Sequence, residues 1–408
     1  MLRVRTVLTC VSAISTIAAA DAAFTAASAD SKFFFNIYGF AQADYIYDVD
    51  RVDPAWEDSL RPSKIPTGND PDKFGSDGQS IFSVKQSRFG VSGDEPVDGG
   101  ALGDIKFKFE FDLYGVGADA GQTTFRLRHA YGEWGPLLAG QTNSVFMDID
   151  TFPNTIDYWG PVGMVFYRNV QVRVTPYRTD NSNFAIAIER PGNDVDGGIV
   201  RELDPELGAN LQGDEKLPDL TTHFYYGDTW GHVQLAGIMR WIGYDTKDTP
   251  DNKPNGHKVG WGINFSGHVN VFERDKFLGS VVYGDGIASY MNDGGVDLAP
   301  VGTVPNDIRP RAVPLLGIMA YYDHYWSKSL STSLGYSFNQ VDNTSLQLVD
   351  AYHKGEYASV NLLWTPASDI MVGGEMLWGK RTDNNGASGD DLRFQFTVKY
   401  SFGTKIEL

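Results

Sequence analysis

The chain has 408 residues, with 34 basic and 52 acidic side chains, a formal charge of −18 and one cysteine. Such acidity disfavours nucleic acid and anionic surfaces as partners, and a lone thiol excludes a disulfide framework and thiolate zinc sites. Beyond the N-terminus no apolar run reaches the roughly 20 residues a membrane helix needs, so any membrane crossing must be made by strands.

The N-terminus reads as a secretory leader. Arg3 and Arg5 precede an apolar or small stretch from Val7 to Ala20, and both Ala18-Ala19-Ala20 and Ala27-Ser28-Ala29 fit a small-residue cleavage site. The run is too short for a membrane anchor, and Cys10 lies too early in it to end a lipoprotein signal. Residues 1–29 are expected to be a signal peptide cleaved after Ala20 or Ala29, leaving residues 30–408 as one domain without a thiol. Losing Arg3 and Arg5 takes the mature charge to about −20. No Ser- or Pro-rich linker and no shift in composition divides that domain.

From Phe33 onward the chain alternates in character. Segments 33–47, 79–93, 102–115, 123–134, 136–143, 165–177, 183–190, 220–226, 232–244, 258–272, 277–290, 315–326, 330–341, 356–365, 370–381 and 392–402 read as strands. The last is the clearest. Leu392, Phe394, Phe396, Val398, Tyr400 and Phe402 alternate with Arg393, Gln395, Thr397, Lys399 and Ser401. Successive side chains on a strand point to opposite faces, so each segment has one greasy and one wet face. That many two-faced strands suit a barrel with lipid outside and water inside. The expected fold class is all-β, a transmembrane antiparallel β-barrel of about 16 strands.

The connections support this. Tight links such as Trp134-Gly135-Pro136, Glu273-Arg274-Asp275 and Ser327-Lys328-Ser329 trade places with long acidic ones, among them 48–77, 193–219, 244–255 and 291–307. Short turns at one rim and long loops at the other are the pattern of outer-membrane barrels. Trp134, Trp230, Trp326 and Trp364 lie near strand ends, where an interfacial aromatic girdle sits.

Parity then assigns the lumen. In the third strand Ile105, Phe107, Phe109, Phe111 and Leu113 face out, leaving Lys106, Lys108, Glu110 and Asp112 inside. In the fourth, Phe125, Leu127 and Tyr131 are expected outward and Arg126 and Arg128 inward. The second strand places Gln86 and Arg88 inside, and the sixth places Asn169, Gln171 and Arg173 there. An acidic chain thus gathers inward-facing cations on neighbouring strands. The bland alternative is that these arginines pair with Glu110, Asp112, Glu375 or loop acids.

Loop 144–164 (SVFMDIDTFPNTIDYWGPVGM) differs from the other long connections in its aromatic and apolar content. A loop folded inward against a barrel wall needs such residues. It is expected to be a constriction loop whose Asp148, Asp150 and Asp157 face the wall arginines and set up a transverse field for small polar solutes.

The segments Gln86-Ser87-Arg88-Phe89-Gly90, 125–161 and 373–381 (GGEMLWGKR) resemble the DcaP-like outer-membrane porins, a family linked to dicarboxylate uptake. The resemblance implies a homotrimer of sixteen-stranded barrels in the outer membrane of a Gram-negative bacterium, in contact with lipid and lipopolysaccharide. It implies a basic constriction, at Arg88, Arg126, Arg128 and Arg173, that lets small anions such as dicarboxylates diffuse passively. The chain departs from the family in two places. Only Asp21 to Lys32 separates the cleavage region from the first strand, which leaves no room for a helical extension. It also ends Lys405-Ile406-Glu407-Leu408 and lacks a terminal aromatic.

Catalysis is not expected. No G-x-S-x-G elbow occurs, and the seven histidines form no i, i+4 pair and no H-E-x-x-H. Glu110 and Asp112 lie two apart on one strand face but are surrounded by cations. No cofactor and no metal site is expected; Asp70, Asp72 and Asp77 match no EF-hand spacing. The alternative reading is a non-conducting barrel serving as anchor or adhesin with acidic surface loops.

Overall fold

The computed structural model describes residues 33–97, 102–115, 124–304 and 307–407. The leader assigned to residues 1–29 lies outside these. Sixteen antiparallel strands close into one barrel. In chain order they are β1 (Phe34–Asp48), β2 in two pieces (Gln79–Ser83 and Arg88–Glu95), β3 (Ile105–Gly115), β4 (Thr124–Trp134), β5 (Leu137–Asn143), β6 (Arg168–Arg178), β7 (Ser182–Glu189) and β8 (Asp219–Asp228). They continue as β9 (Gly231–Thr246), β10 (Gly256–Val271), β11 (Asp275–Asp285), β12 (Pro314–Tyr325), β13 (Leu330–Val341), β14 (Tyr352–Ala367), β15 (Ile370–Asp383) and β16 (Ser388–Glu407). Each of the sixteen segments read from the sequence overlaps one of these strands, several of which run a few residues beyond the bounds read.

Closure comes from β1 pairing with β16, from Phe34 opposite Glu407 to Asp48 opposite Arg393. It removes both sheet edges, which lipid could not hydrogen-bond. Alternation does the sorting: on β16 Phe396, Val398 and Tyr400 are each more than half exposed, whereas Arg393, Gln395 and Thr397 are buried inside. Among the described residues no helix is long and apolar enough to cross a membrane; the strands make the crossing. Beyond the sequence reading, the structure shows a hairpin of Leu298–Thr303 and Asp307–Ala312 and two short helices, Val200–Leu203 and Pro205–Asn210, in the long loops.

The lumen is not evenly open. Loop 49–78 and loop 144–167 lie over the inner wall of β11 to β15, where Val52, Leu60, Ile65 and Val162 pack with Leu278, Met319, Tyr321, Tyr357 and Leu377. Farther round, Phe146 and Met147 pack with Ala236, Ile238, Val282 and the Tyr290-Met291 turn. At Gly163 the loop backbone rests on the wall itself: a Cβ there would run into the carbonyl oxygens of Ile318 and Phe338. A cavity beside these loops is lined by Arg126 of β4, Gln141 of β5 and Arg168 of β6.

One sequence expectation is corrected here. Glu110 pairs with His129 but Phe111 pairs with Leu127, so β4 carries a bulge at Arg128. The extra residue shifts the pleat by one, and Tyr131, read as lipid-facing, comes opposite Lys108 on the lumen side.

Candidate functional site

The inner face of β2 to β4 and the tip of loop 144–167 meet in one cluster. Arg88 stands opposite Asp112, and Gly90 opposite Glu110, in the β2 to β3 register. On β4 Arg126 and Arg128, two residues apart, point to the same side, and the bulge brings His129 opposite Glu110 beside them. Arg128 donates from Nε to Glu110 (2.7 Å) and from Nη1 to Asp112 (3.0 Å), and is buried. Arg126 grips Asp112 from Nε (3.0 Å) and Nη2 (2.6 Å) but keeps part of its side chain open.

Tyr158, on the loop, is the hub. Its hydroxyl accepts from Arg126, from Arg128 (2.8 Å) and from Arg168 (3.2 Å), and donates to Asp112 (3.2 Å). Its ring stacks on Tyr114 at 4.1 Å. Five cations, Arg88, Lys108, Arg126, Arg128 and Arg168, therefore surround two carboxylates, and the surplus is positive. Arg128 is the most fully neutralised. Arg168 makes no ion pair among the described residues, and Arg88 comes only within 3.9 Å of Glu110. Lys108 lies 3.3 Å from Glu110.

Arg168 and Arg61 were not singled out by sequence. Arg168 has the parity of the exposed Val170, so alternation points it outward. However, β4 pairs with β5 only from Ala130 to Trp134, because loop 144–167 leaves the wall above that level. The resulting gap lets the guanidinium of Arg168 reach Tyr158. Arg61 arrives from the first long loop. It is fixed by Asp293, with Nε at 3.0 Å and Nη2 at 2.8 Å, between the rings of Trp56 (4.2 Å) and Trp159 (4.3 Å). Arg61, Lys64, Arg126, Tyr158, Trp159 and Arg168 line a cavity of about 610 Å³.

The other expected residues are placed elsewhere. Arg173 is inside but lower in the barrel, opposite Leu138 and away from the Tyr158 cluster. Lys106 is exposed at the start of β3, opposite Asp94 and Glu133. The loop acids do not face the arginines. Asp148 is buried on the far wall, accepting from Ser266 Oγ (2.8 Å) with His232 Nε2 at 2.8 Å. Asp157 accepts from the backbone of Leu60 (3.1 Å) and Gly160 (3.1 Å) and from the Tyr357 hydroxyl (3.2 Å). Burial pushes the Asp157 carboxyl above the usual carboxylate range, against the pull of Arg393 and these donors. Asp150 is exposed. Glu189 and Glu375 join the anchoring: Glu189 accepts from Val145 N (3.0 Å), and Glu375 from Ile156 N (2.8 Å) and Asp157 N (3.0 Å). The carboxylates pin the loop, and the field comes from the opposite wall.

Comparison with known proteins supplies the family. The sequence profile described as DcaP outer membrane protein matches residues 15–402. Comparison with curated proteins gives no match. Among solved structures, the outer membrane channel DcaP of Acinetobacter baumannii superposes with a TM-score of 0.75 at 22% identity, covering 92% of this chain and 99% of that one. An anion-selective porin from Comamonas acidovorans gives 0.55 at 10% identity, covering 91% and 100%. OprB of Pseudomonas putida gives 0.52 at 11%, covering 90% and 94%. At these identities the structures establish a shared barrel fold, and the profile, which spans nearly the whole chain, places the protein in the DcaP outer membrane protein family as an outer-membrane β-barrel.

Proposed function

We propose that this protein is an outer-membrane porin through which small anions, dicarboxylates among them, diffuse passively. The observation that carries the reading is the unbalanced charge where the inward loop meets the wall, at which Arg88, Arg126 and Arg168 stand beside a loop whose own acids are turned away. A dianion passing this point loses hydration, and guanidinium forks replace it with paired bonds to a carboxylate. Because several cations share the load, no single site holds the solute too tightly for release. The Comamonas neighbour, an anion-selective porin by description, is consistent with this. A homotrimer is part of the proposal, in keeping with the trimer form described for OmpT of Vibrio cholerae, as are contacts of the outer face with lipid and lipopolysaccharide. A leader ending at Ala20 or Ala29 would deliver the chain across the inner membrane.

The test is planar-bilayer recording of the purified barrel in a salt gradient. A reversal potential set by the anion, moved toward zero by Arg168→Gln, supports the proposal. A barrel that inserts but passes no current would instead be an anchor.

A further inference from the structure

Below the constriction, β1 breaks the alternation of its neighbours. Phe34, Tyr38 and Phe40 face the lumen, opposite Asp94, Gly90 and Arg88 on β2, while Gly39, Ala41 and Ala43 face out. Each inward ring carries a cation. Arg88 Cζ and Lys399 Nζ each lie 5.3 Å from the centre of the Phe40 ring, Lys108 Nζ lies 5.7 Å from Tyr38, and Lys405 Nζ lies 4.2 Å from Phe34. Tyr38 lies flat over Gly90, where any Cβ would collide with the ring, and its hydroxyl donates to Glu110 (3.0 Å).

The choice of aromatic partners matters. A carboxylate fixes a cation by cancelling its charge. A ring holds it through the quadrupole of its π face and leaves the charge intact. Neither Lys399 nor Lys405 makes an ion pair among the described residues. Lys108 does approach Glu110, but Arg128 already occupies that carboxylate at 2.7 Å. Placing Arg88 and Lys399 on one ring also brings like charges together, which stability alone disfavours. Lys399 and Lys405 are six residues apart on one face of β16, about 20 Å along the strand. The row runs from the level of Arg88 to the rim of short turns, the periplasmic side in barrels of this kind.

We propose that β1 and β16 carry an anion track, in which Arg88, Lys399, Lys108 and Lys405, held on the rings of Phe40, Tyr38 and Phe34, pass small carboxylates between the constriction and the periplasmic rim. The track rests on the anion-porin reading and extends it from one constriction to a path along one wall.

The experiment uses the full barrel in planar bilayers, with potassium chloride gradients and sodium succinate as probes. The double variant K399Q/K405Q is expected to lower the chloride-to-potassium permeability ratio roughly two- to threefold and to reduce succinate current, with K399R/K405R restoring both. F34L/F40L, which keeps every charge, is expected to give a smaller fall in the same direction. If K399Q/K405Q leaves both readings unchanged while Arg168→Gln lowers them, the track is wrong and the porin reading stands. An unchanged F34L/F40L removes the role given to the rings. A wild-type barrel with no anion preference overturns the porin reading and the track with it.

Discussion

Guanidinium groups at the constriction divide by what they touch. Arg128 is buried between Glu110 and Asp112, so replacing it removes the one cation that both carboxylates share, leaving Asp112 to Arg126 and Glu110 to Lys108. Arg128→Gln is expected to destabilise the barrel by roughly 3–5 kcal/mol, the cost of breaking a buried pair, seen as a lower temperature of unfolding in detergent. Arg168→Gln removes a cation that no carboxylate needs. It is expected to leave the unfolding temperature near that of the wild type and to weaken anion preference. Tyr158→Phe deletes the shared acceptor of three arginines while keeping the ring stacked on Tyr114. The variant is expected to spread the guanidinium groups and to change single-channel conductance and its noise more than stability. Parity identified Arg88, Arg126 and Arg128 as inward because it is a local property of the strand. It did not identify Arg168 or Arg61, whose positions depend on a gap in the wall and on a loop more than 200 residues distant from its anchor Asp293.

The constriction loop is held by chain approach and by buried acceptors. Gly163 lets its backbone touch the wall at Ile318 and Phe338, so Gly163→Val is expected to lift the loop and raise conductance. Glu375→Gln keeps the shape but weakens the acceptor for Ile156 N and Asp157 N, and is expected to increase open-channel noise with a smaller change in mean current. The aromatic and apolar content of residues 144–164 announced an inward loop, because a solvated loop has no use for Phe146, Met147 or Val162. The direction its acids would face was not legible. Asp148 and Asp157 find His232, Ser266, Leu60 and Tyr357, partners from distant strands and from another loop, and no spacing in the sequence encodes those meetings. The bulge at Arg128 escaped notice for a related reason: inserting one residue into a strand leaves the composition unchanged and reverses every side chain beyond it.

At the scale of the molecule, sixteen two-faced strands, alternating loop lengths and an acidic exterior were legible because each is repeated along the chain and each repeat reports the same solvent boundary. The lumen's division was not. One side is covered by loops on an apolar wall, and the other is lined by cations beside β1, and only closure of β1 on β16 brings Lys399 next to Arg88. The central claim is that an acidic barrel passes anions because the bore left open lies along its basic wall. Reversal potential across a potassium chloride gradient tests it most directly. The expected sign is that of a chloride-favouring pore, shifted toward zero by Arg168→Gln; a potential of the cation-favouring sign, or one that Arg168→Gln leaves in place, would contradict it.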